Sequence, residues 1–177
     1  YLHITKASVH DVNILDLIPF EVGGFYVVDK GYIDFERLYK VHLHESFFVT
    51  RAKDNLRFLR MYSRPVDKTT GIQSDQIGKL EGFYSKKDYP EKLRRIKYYD
   101  EERQKNLVFL TNNMSLKAKE IALLYKKRWE VEIFFKWLKQ HLKIKSFWGT
   151  TINAVKIQIY CAIIAYCLVA TIGNKLK

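Results

Sequence analysis

Cysteine is nearly absent from this sequence, with only Cys161 and Cys167 among 177 residues. Two cysteines exclude a disulfide framework and a four-cysteine zinc site. Six apart in an apolar segment, they read as buried small hydrophobes in a reducing compartment. Glycine and proline are also missing from Ser115 up to Gly149, which leaves room there for a long helix. Acidic residues are too few to balance the basic ones, 19 against 31, so the net charge is +12. That excess suits a polyanion, either nucleic acid or an acidic membrane surface, although a basic surface that binds nothing is the plainer reading. With 47% apolar residues the chain can bury one sizeable core, with room for a small subdomain, and is not disordered. No basic leader followed by an apolar run opens the chain, so Tyr1 is read as an internal start and not as a targeting segment.

The longest uncharged run is 157–174, at the lower limit for a membrane-crossing helix. Gln158, Tyr160, Tyr166 and Thr171 interrupt it, and Gly173-Asn174 reads as a helix C-cap. A buried core helix over about 153–172 is the expectation, with no membrane. Upstream, 1–5 reads as a short strand and 9–18 as a short helix ending before Pro19. Phe25-Tyr26-Val27-Val28 is a dense apolar run that ends at Asp29 and reads as a buried central strand. Lys30-Gly31 turns the chain into a helix over 33–39. From 41 to 110, β-prone runs (46–51, 56–62, 77–84, 93–99 and 106–111) alternate with Gly and Pro, as antiparallel hairpins do. Ser115 is a plausible N-cap for one helix reaching about Lys143.

Tyr125, Arg128, Glu132 and Lys139 carry the chemistry. At about 100° per residue on one helix, Arg128, Glu132 and Lys139 fall near −60°, −20° and −40° from Tyr125, a single narrow stripe. An Arg128–Glu132 pair on a solvated face is the bland alternative, worth a few tenths of a kcal/mol. However, Ile121, Leu124, Ile133, Phe134, Phe135, Trp137 and Leu138 make the helix apolar over much of its circumference. Its charged stripe is therefore expected to face a cleft or a partner. Asp29, at the carboxyl end of a strand and before a glycine turn, stands where open α/β sheets place ligands. Beside Glu132 it would form a hard oxygen site for Mg²⁺ or Mn²⁺, suited to two-metal phosphodiester chemistry. The histidines at 3, 10, 42, 44 and 141 are too scattered to compete, and Trp129 and Trp137 are expected in the core.

Tyr125, Arg128, Glu132 and Lys139 match the Y-x2-R-x3-E-x6-K signature of one branch of bacterial insertion-sequence DDE transposases. Asp29-Lys30-Gly31-Tyr32 resembles the motif around that family's second Asp. His3-Ile4-Thr5, Val9-His10-Asp11-Val12 and Asn153-Ala154-Val155-Lys156 extend the likeness over nearly the whole chain. The resemblance implies an α/β, ribonuclease-H-like fold, incomplete at the N-terminus. It implies a first part of the core in 1–40, a β-rich insertion subdomain in 41–112 before the catalytic-Glu helix, and C-terminal core helices in 113–177. Asp29 and Glu132 would be the catalytic metal ligands. Arg128 and Lys139 would hold phosphates, and Tyr125 would hydrogen-bond or stack beside a terminal nucleotide. Lys30, Lys126, Lys127, Lys136, Lys143 and Lys145 would touch the DNA backbone.

The family's first catalytic Asp belongs on a strand upstream of Tyr1, and neither Asp11 nor Asp16 matches its motif. A DNA transposase is the resulting expectation, cutting and joining insertion-sequence ends with Mg²⁺ or Mn²⁺. Its partners would be double-stranded DNA, at the terminal inverted repeats and the target, and a second copy in the full-length protein. The setting would be the bacterial cytoplasm, at the nucleoid, and this chain would be inactive alone. The alternatives are a ribonuclease-H-like structure-specific nuclease and a non-catalytic basic DNA-binding domain.

Overall fold

In a computed structural model, which describes residues 11–141 and 147–175, the apolar runs of the middle of the chain assemble into one six-stranded mixed sheet. The strands are β1 (Phe25–Val28), β2 (Phe47–Arg51), β3 (Phe58–Arg64), β4 (Ile72–Leu80), β5 (Leu93–Asp100) and β6 (Lys105–Thr111). Their spatial order is β1-β2-β6-β5-β4-β3. The β1–β2 pair is parallel and is joined through α1 (Phe35–Leu43), while the other pairs are antiparallel. The helices α2 (Phe83–Asp88), α3 (Ala118–Lys127), α4 (Trp129–His141) and α5 (Ile152–Lys175) follow. The chain divides into two compact units, with the division in sequence between Arg128 and Trp129.

In the first unit, strand alternation supplies two apolar faces. Phe48 and Leu110 turn to one face, where they join Leu38 and Val41 of α1 and Tyr89 after α2. Val49 and Phe109, one residue along, turn to the other face and pack with Ile121, Ala122 and Tyr125 of α3. Burying side chains of this size contributes roughly 1.5–3 kcal/mol each before chain entropy is subtracted. At the far side of the sheet Gly78 has to be glycine. A Cβ there would meet the Leu59 carbonyl oxygen of the edge strand β3, which crosses too close for any side chain.

The α3 face depends on a buried ion pair. Arg94, 1% exposed, donates from Nε and Nη2 to the two carboxylate oxygens of Asp75, at 2.8 and 2.7 Å. Its Nη1 donates to the carbonyls of Leu116 (2.7 Å) and Asn113 (3.3 Å), in the approach to α3. The Asn113 side chain in turn accepts from the Ser115 and Leu116 amides. The N-cap of α3 is Lys117, with the Glu120 carboxylate accepting from its amide at 2.8 Å, and not Ser115. Asn113 already occupies the Ser115 amide, and this shifts the helix start.

In the second unit, Phe134 and Trp137 of α4 pack edge-on to Tyr166 of α5, with ring centroids 4.7 and 5.0 Å apart. Leu138 and Ala162 are buried.

The mixed α/β class expected from the sequence is what the chain adopts, and β2, β3, β5 and β6 fall close to the expected runs. Several expectations are corrected. The run 25–28 is a half-exposed strand at one end of the sheet, because among the described residues only β2 pairs with it. Residues 11–16 form a 3-10 helix, and the strand expected at 1–5 lies outside the described residues. The run 77–84 divides into the end of β4 and the start of α2, since Gly82 opens a helical turn. The helix expected over 115–143 is interrupted at Arg128, whose amide bonds to the Tyr125 carbonyl three residues back.

α5 continues through Gly173 to Lys175. Ile157, Ile164, Leu168 and Val169 are more than half exposed, and both cysteines are exposed, not buried as expected. Its uniform apolarity reads as burial, but only one of its sides is covered by α4. The segment Ile152–Gly173 is long and apolar enough to cross a membrane by length and composition.

Replacing Asp75 by Ala leaves the Arg94 charge buried and uncompensated. The unfolding free energy in urea is expected to fall by about 3–5 kcal/mol. Adding Arg94→Met should recover a large part of the loss, and equal losses in single and double variants would contradict this account.

Candidate functional site

β1 ends at Val28, and Asp29 then leaves the strand in an extended conformation to cap a 3-10 turn over Lys30–Tyr32. Its Oδ1 accepts from the Gly31 amide at 3.0 Å. Its Oδ2 lies 3.5 Å from Nη2 of Arg128, with the Asp29 side chain 39% exposed and that of Arg128 17%. Arg128 follows the last residue of α3, and its guanidinium stands 5.4 Å from the centre of the Tyr125 ring. Tyr125 is 2% exposed and packs against Phe109 at 5.0 Å between ring centres. Its hydroxyl is buried and reaches full hydrogen-bond geometry with no described group, with Arg128 beside it. Burial raises the phenol above its ordinary range. The Arg128 cation opposes that shift, and the Asp29 carboxylate adds to it.

The fold therefore brings three of the expected site residues, Asp29, Tyr125 and Arg128, into one cluster at the carboxyl end of β1. The Tyr125 ring belongs to the core, so it is not available to stack on a base. What it can offer the site is its hydroxyl and the face on which Arg128 rests. Lys30 is exposed on the turn just after Asp29. Lys126, expected on DNA, is instead held by its own chain. Its Nζ donates to Glu102 at 2.8 Å and Asp100 at 3.3 Å, and the Glu102 contact raises its pKa.

Glu132, Lys136 and Lys139 are exposed on α4, in the second unit. On that helix Lys136 and Lys139 lie at about +40° and −20° from Glu132, whereas Phe134, Trp137 and Leu138 point roughly the opposite way, toward α5. The four-residue stripe drawn for one continuous helix thus becomes two shorter ones, Tyr125 with Arg128 and Glu132 with Lys136 and Lys139. Trp137 is half-buried against Tyr166 as expected, whereas Trp129 is 37% exposed. Lys143 and Lys145 lie outside the described residues.

No group of three His, Cys, Asp or Glu side chains stands close enough to hold a metal ion among the described residues. Asp29 nonetheless fits a hard cation as one ligand, since its side chain is partly exposed and its Oδ1 is taken only by the Gly31 amide. Residues that sequence reasoning passed over are those that hold α3 in place, Asp75, Arg94 and Asn113. A charge at a buried position of a strand carries no periodic signal that tells it from a solvated one.

The sequence model of one family, described as Transposase DDE domain, matches residues 1–168. The protein y4zB of Sinorhizobium fredii, which carries a transposase name, is 37% identical over 172 residues, covering 94% of this chain and 48% of its own length. A protein of Geobacillus stearothermophilus named as a transposase for the insertion sequence element IS5377 is 32% identical over 153 residues, 85% of this chain and 40% of its own length. A third, from Synechocystis and named for the element IS4SA, is 28% identical over 155 residues. The chain spans about half the length, or less, of the relatives it matches.

Because Asp29 is partly exposed, its replacement by Asn is expected to change the unfolding free energy by less than about 1 kcal/mol. Tyr125→Phe removes a buried hydroxyl that has no full hydrogen bond, and should be neutral or slightly stabilising. Urea titration of both variants is the check; a loss of several kcal/mol at Asp29 would mark it as a structural residue.

Proposed function

The chain belongs to the DDE transposase family, and from that premise we propose that it supplies two of the three carboxylates, Asp29 and Glu132, of a metal-dependent site that cuts and joins insertion-sequence ends. The observation that carries this reading is the Asp29–Arg128 ion pair resting on Tyr125. It unites the second-Asp motif with the first half of the four-residue signature in one cluster. A ribonuclease-H-like core is the fold this reading expects, with 41–112 as the β-rich insertion and 1–40 and 113–177 as the core parts around it.

Asp29 and Glu132 are hard oxygen ligands suited to Mg²⁺ or Mn²⁺. Such ions, when bound, activate a water or a 3′-hydroxyl and stabilise the leaving oxygen. The chain's own residues do the rest. Arg128 holds the Asp29 carboxylate in place and presents its guanidinium to a DNA phosphate, with which such a group makes short, charge-assisted bonds. As negative charge builds on the phosphoryl oxygens, the same cation stabilises it. Tyr125 keeps the guanidinium from swinging away, because the aromatic face attracts it and the buried ring cannot move. On α4, Lys136 and Lys139 flank Glu132 and hold backbone phosphates, while Lys30 does so beside Asp29. These contacts position the duplex without reading its sequence. The substrates in this reading are terminal inverted repeats and target DNA, the assembly is a homodimer of the full-length protein, and the setting is the bacterial cytoplasm.

Two carboxylates are fewer than a two-metal centre needs, so the 177 residues alone are expected to leave a transposon-end duplex uncut. The intact protein should nick the same duplex in Mg²⁺ or Mn²⁺, and both Asp29→Asn and Glu132→Gln should reduce nicking to background. DNA binding that survives with undiminished nicking in both variants would place the nicking outside these residues and favour this chain as a DNA-binding domain that takes no part in catalysis. Cleavage without strand transfer would favour a structure-specific nuclease.

Affinity for the duplex should fall steeply with salt, by about 0.9 in log–log slope per phosphate neutralised. An affinity indifferent to salt would rule out the phosphate contacts.

A further inference from the structure

We propose that Asp100, which belongs to no signature motif, is a positioning residue of the candidate site: by holding Lys126 it sets the roll of α3 that turns Arg128 toward Asp29. The proposal rests on the reading of Asp29 and Arg128 given above and adds to it a residue that acts through another. Strand alternation turns every second residue of β5 to the α3 face. On that face Arg94 donates to the carbonyls of Asn113 and Leu116 just before α3, and Ile96 packs into the cluster with Ile121, Ala122 and Tyr125. Tyr98 meets Lys119, whose Nζ stands 4.7 Å from the ring centre and 3.3 Å from the hydroxyl. Asp100 closes the row, its Oδ1 accepting from Lys126 Nζ at 3.3 Å. α3 thus runs along β5 and is held before its first turn, within it and in its last. Asp100 is the hold nearest Arg128.

Three contacts pin that last turn across the sheet order β1-β2-β6-β5. Tyr125 meets Phe109 of β6, Lys126 meets Asp100 of β5, and Arg128 meets Asp29 at the end of β1. Arg128 keeps helical backbone angles, so it points about 200° round the axis from Lys126. Lys126 and Arg128 are therefore opposite arms of one lever, and a roll of α3 that displaces one displaces the other. Glu102 also receives Lys126, at 2.8 Å, but its side chain is 76% exposed, where solvent screens the pair. Asp100 is fully buried, and its Oδ2 has no hydrogen-bond partner among the described residues. A buried carboxylate held on one side only costs stability that an apolar residue would not. What it provides instead is a directed hold on one ammonium.

The test uses the intact protein that carries this chain and a labelled duplex from the ends of its own element. Single-turnover nicking in Mg²⁺ is followed across duplex concentrations, per folded molecule and below the melting transition of each variant. Asp100→Asn should lower the rate at saturating duplex about tenfold, since a misplacement of about 1 Å costs up to about 100-fold. The half-saturating duplex concentration and its salt dependence should stay at the parent values. Lys126→Met should reproduce both results, and the double variant should be no slower than the slower single. Asp100→Glu, which keeps the charge, should retain more of the rate than Asp100→Asn. If Asp100→Asn does not fold, Lys126→Met carries the comparison. Weaker binding with a shallower salt dependence in Lys126→Met would mean that Lys126 holds DNA, and would overturn the inference. Losses that multiply in the double variant would overturn it too, because Asp100 would then act without Lys126. So would a parent rate in Asp100→Asn while Asp29→Asn cannot nick, an outcome that leaves the site reading standing. Normal nicking by Asp29→Asn would overturn the site reading, and this inference with it.

Discussion

The geometry of the candidate site depends on a pair of charges that never meets solvent. Asp75 and Arg94 sit opposite one another's strands in the interior, with side chains 5% and 1% exposed. Removing two charges from water is expensive, and a single contact does not offset it. Here the geometry is bidentate, and the remaining Arg94 donor is satisfied by the carbonyls of Asn113 and Leu116. Those carbonyls belong to the link between β6 and α3. The pair therefore fixes the segment that delivers α3 to the sheet, and α3 delivers Tyr125 and Arg128 to the end of β1. A hydrophobic pair in the same place could equal its stability, but it could not hold the two carbonyls.

Around Asp29 the balance is of another kind. One carboxylate oxygen is held by the Gly31 amide, so the side chain cannot rotate freely; the other faces Arg128 at a distance too long for a strong hydrogen bond. Such a contact keeps the carboxylate oriented without saturating it. The rigidity comes from beneath, where Tyr125 is fixed by Phe109 and the core under α3. A buried aromatic under a partly exposed ion pair separates two demands, since the core supplies position and the surface retains the charge available for chemistry.

How much of this could be read from sequence depended on whether a residue's surroundings leave a local trace. Phe25–Val28 and its terminal Asp29 were legible because a dense apolar run with a glycine turn after it has few other meanings. Four of the β strands were legible from alternation between turn residues. Tyr125 and Arg128 were legible by spacing, and they do meet, but the helix that carried the spacing argument stops at Arg128 without any Gly or Pro to announce it. A break made by one shortened hydrogen bond leaves no compositional mark. Arg94 was invisible for the opposite reason: Leu93-Arg94-Arg95 offers two adjacent arginines, and only the register with Asp75 and Gln76 decides which one is buried. The exposure of α5 was misread because an apolar segment states that it needs cover, not which partner provides it.

The net charge of +12 acquires a location once the pairs are assigned. Asp16 and Asp34 are occupied by Arg37, with Lys40 also on Asp16; Asp75 is occupied by Arg94, and Asp100 and Glu102 by Lys126. These contacts stabilise elements of the first unit, and they neutralise several of the few acidic residues. What remains around the carboxyl ends of β1 and β2 is Asp29, with Lys30, Arg51 and Arg128 near it along the chain or across the strands. An excess of positive charge beside a single carboxylate would lower its affinity for a metal ion if nothing else were present. A phosphodiester reverses that sign, because its own negative charge neutralises the cations and supplies oxygens. In the proposed function, DNA and a metal ion would therefore bind cooperatively, each lowering the electrostatic cost of the other.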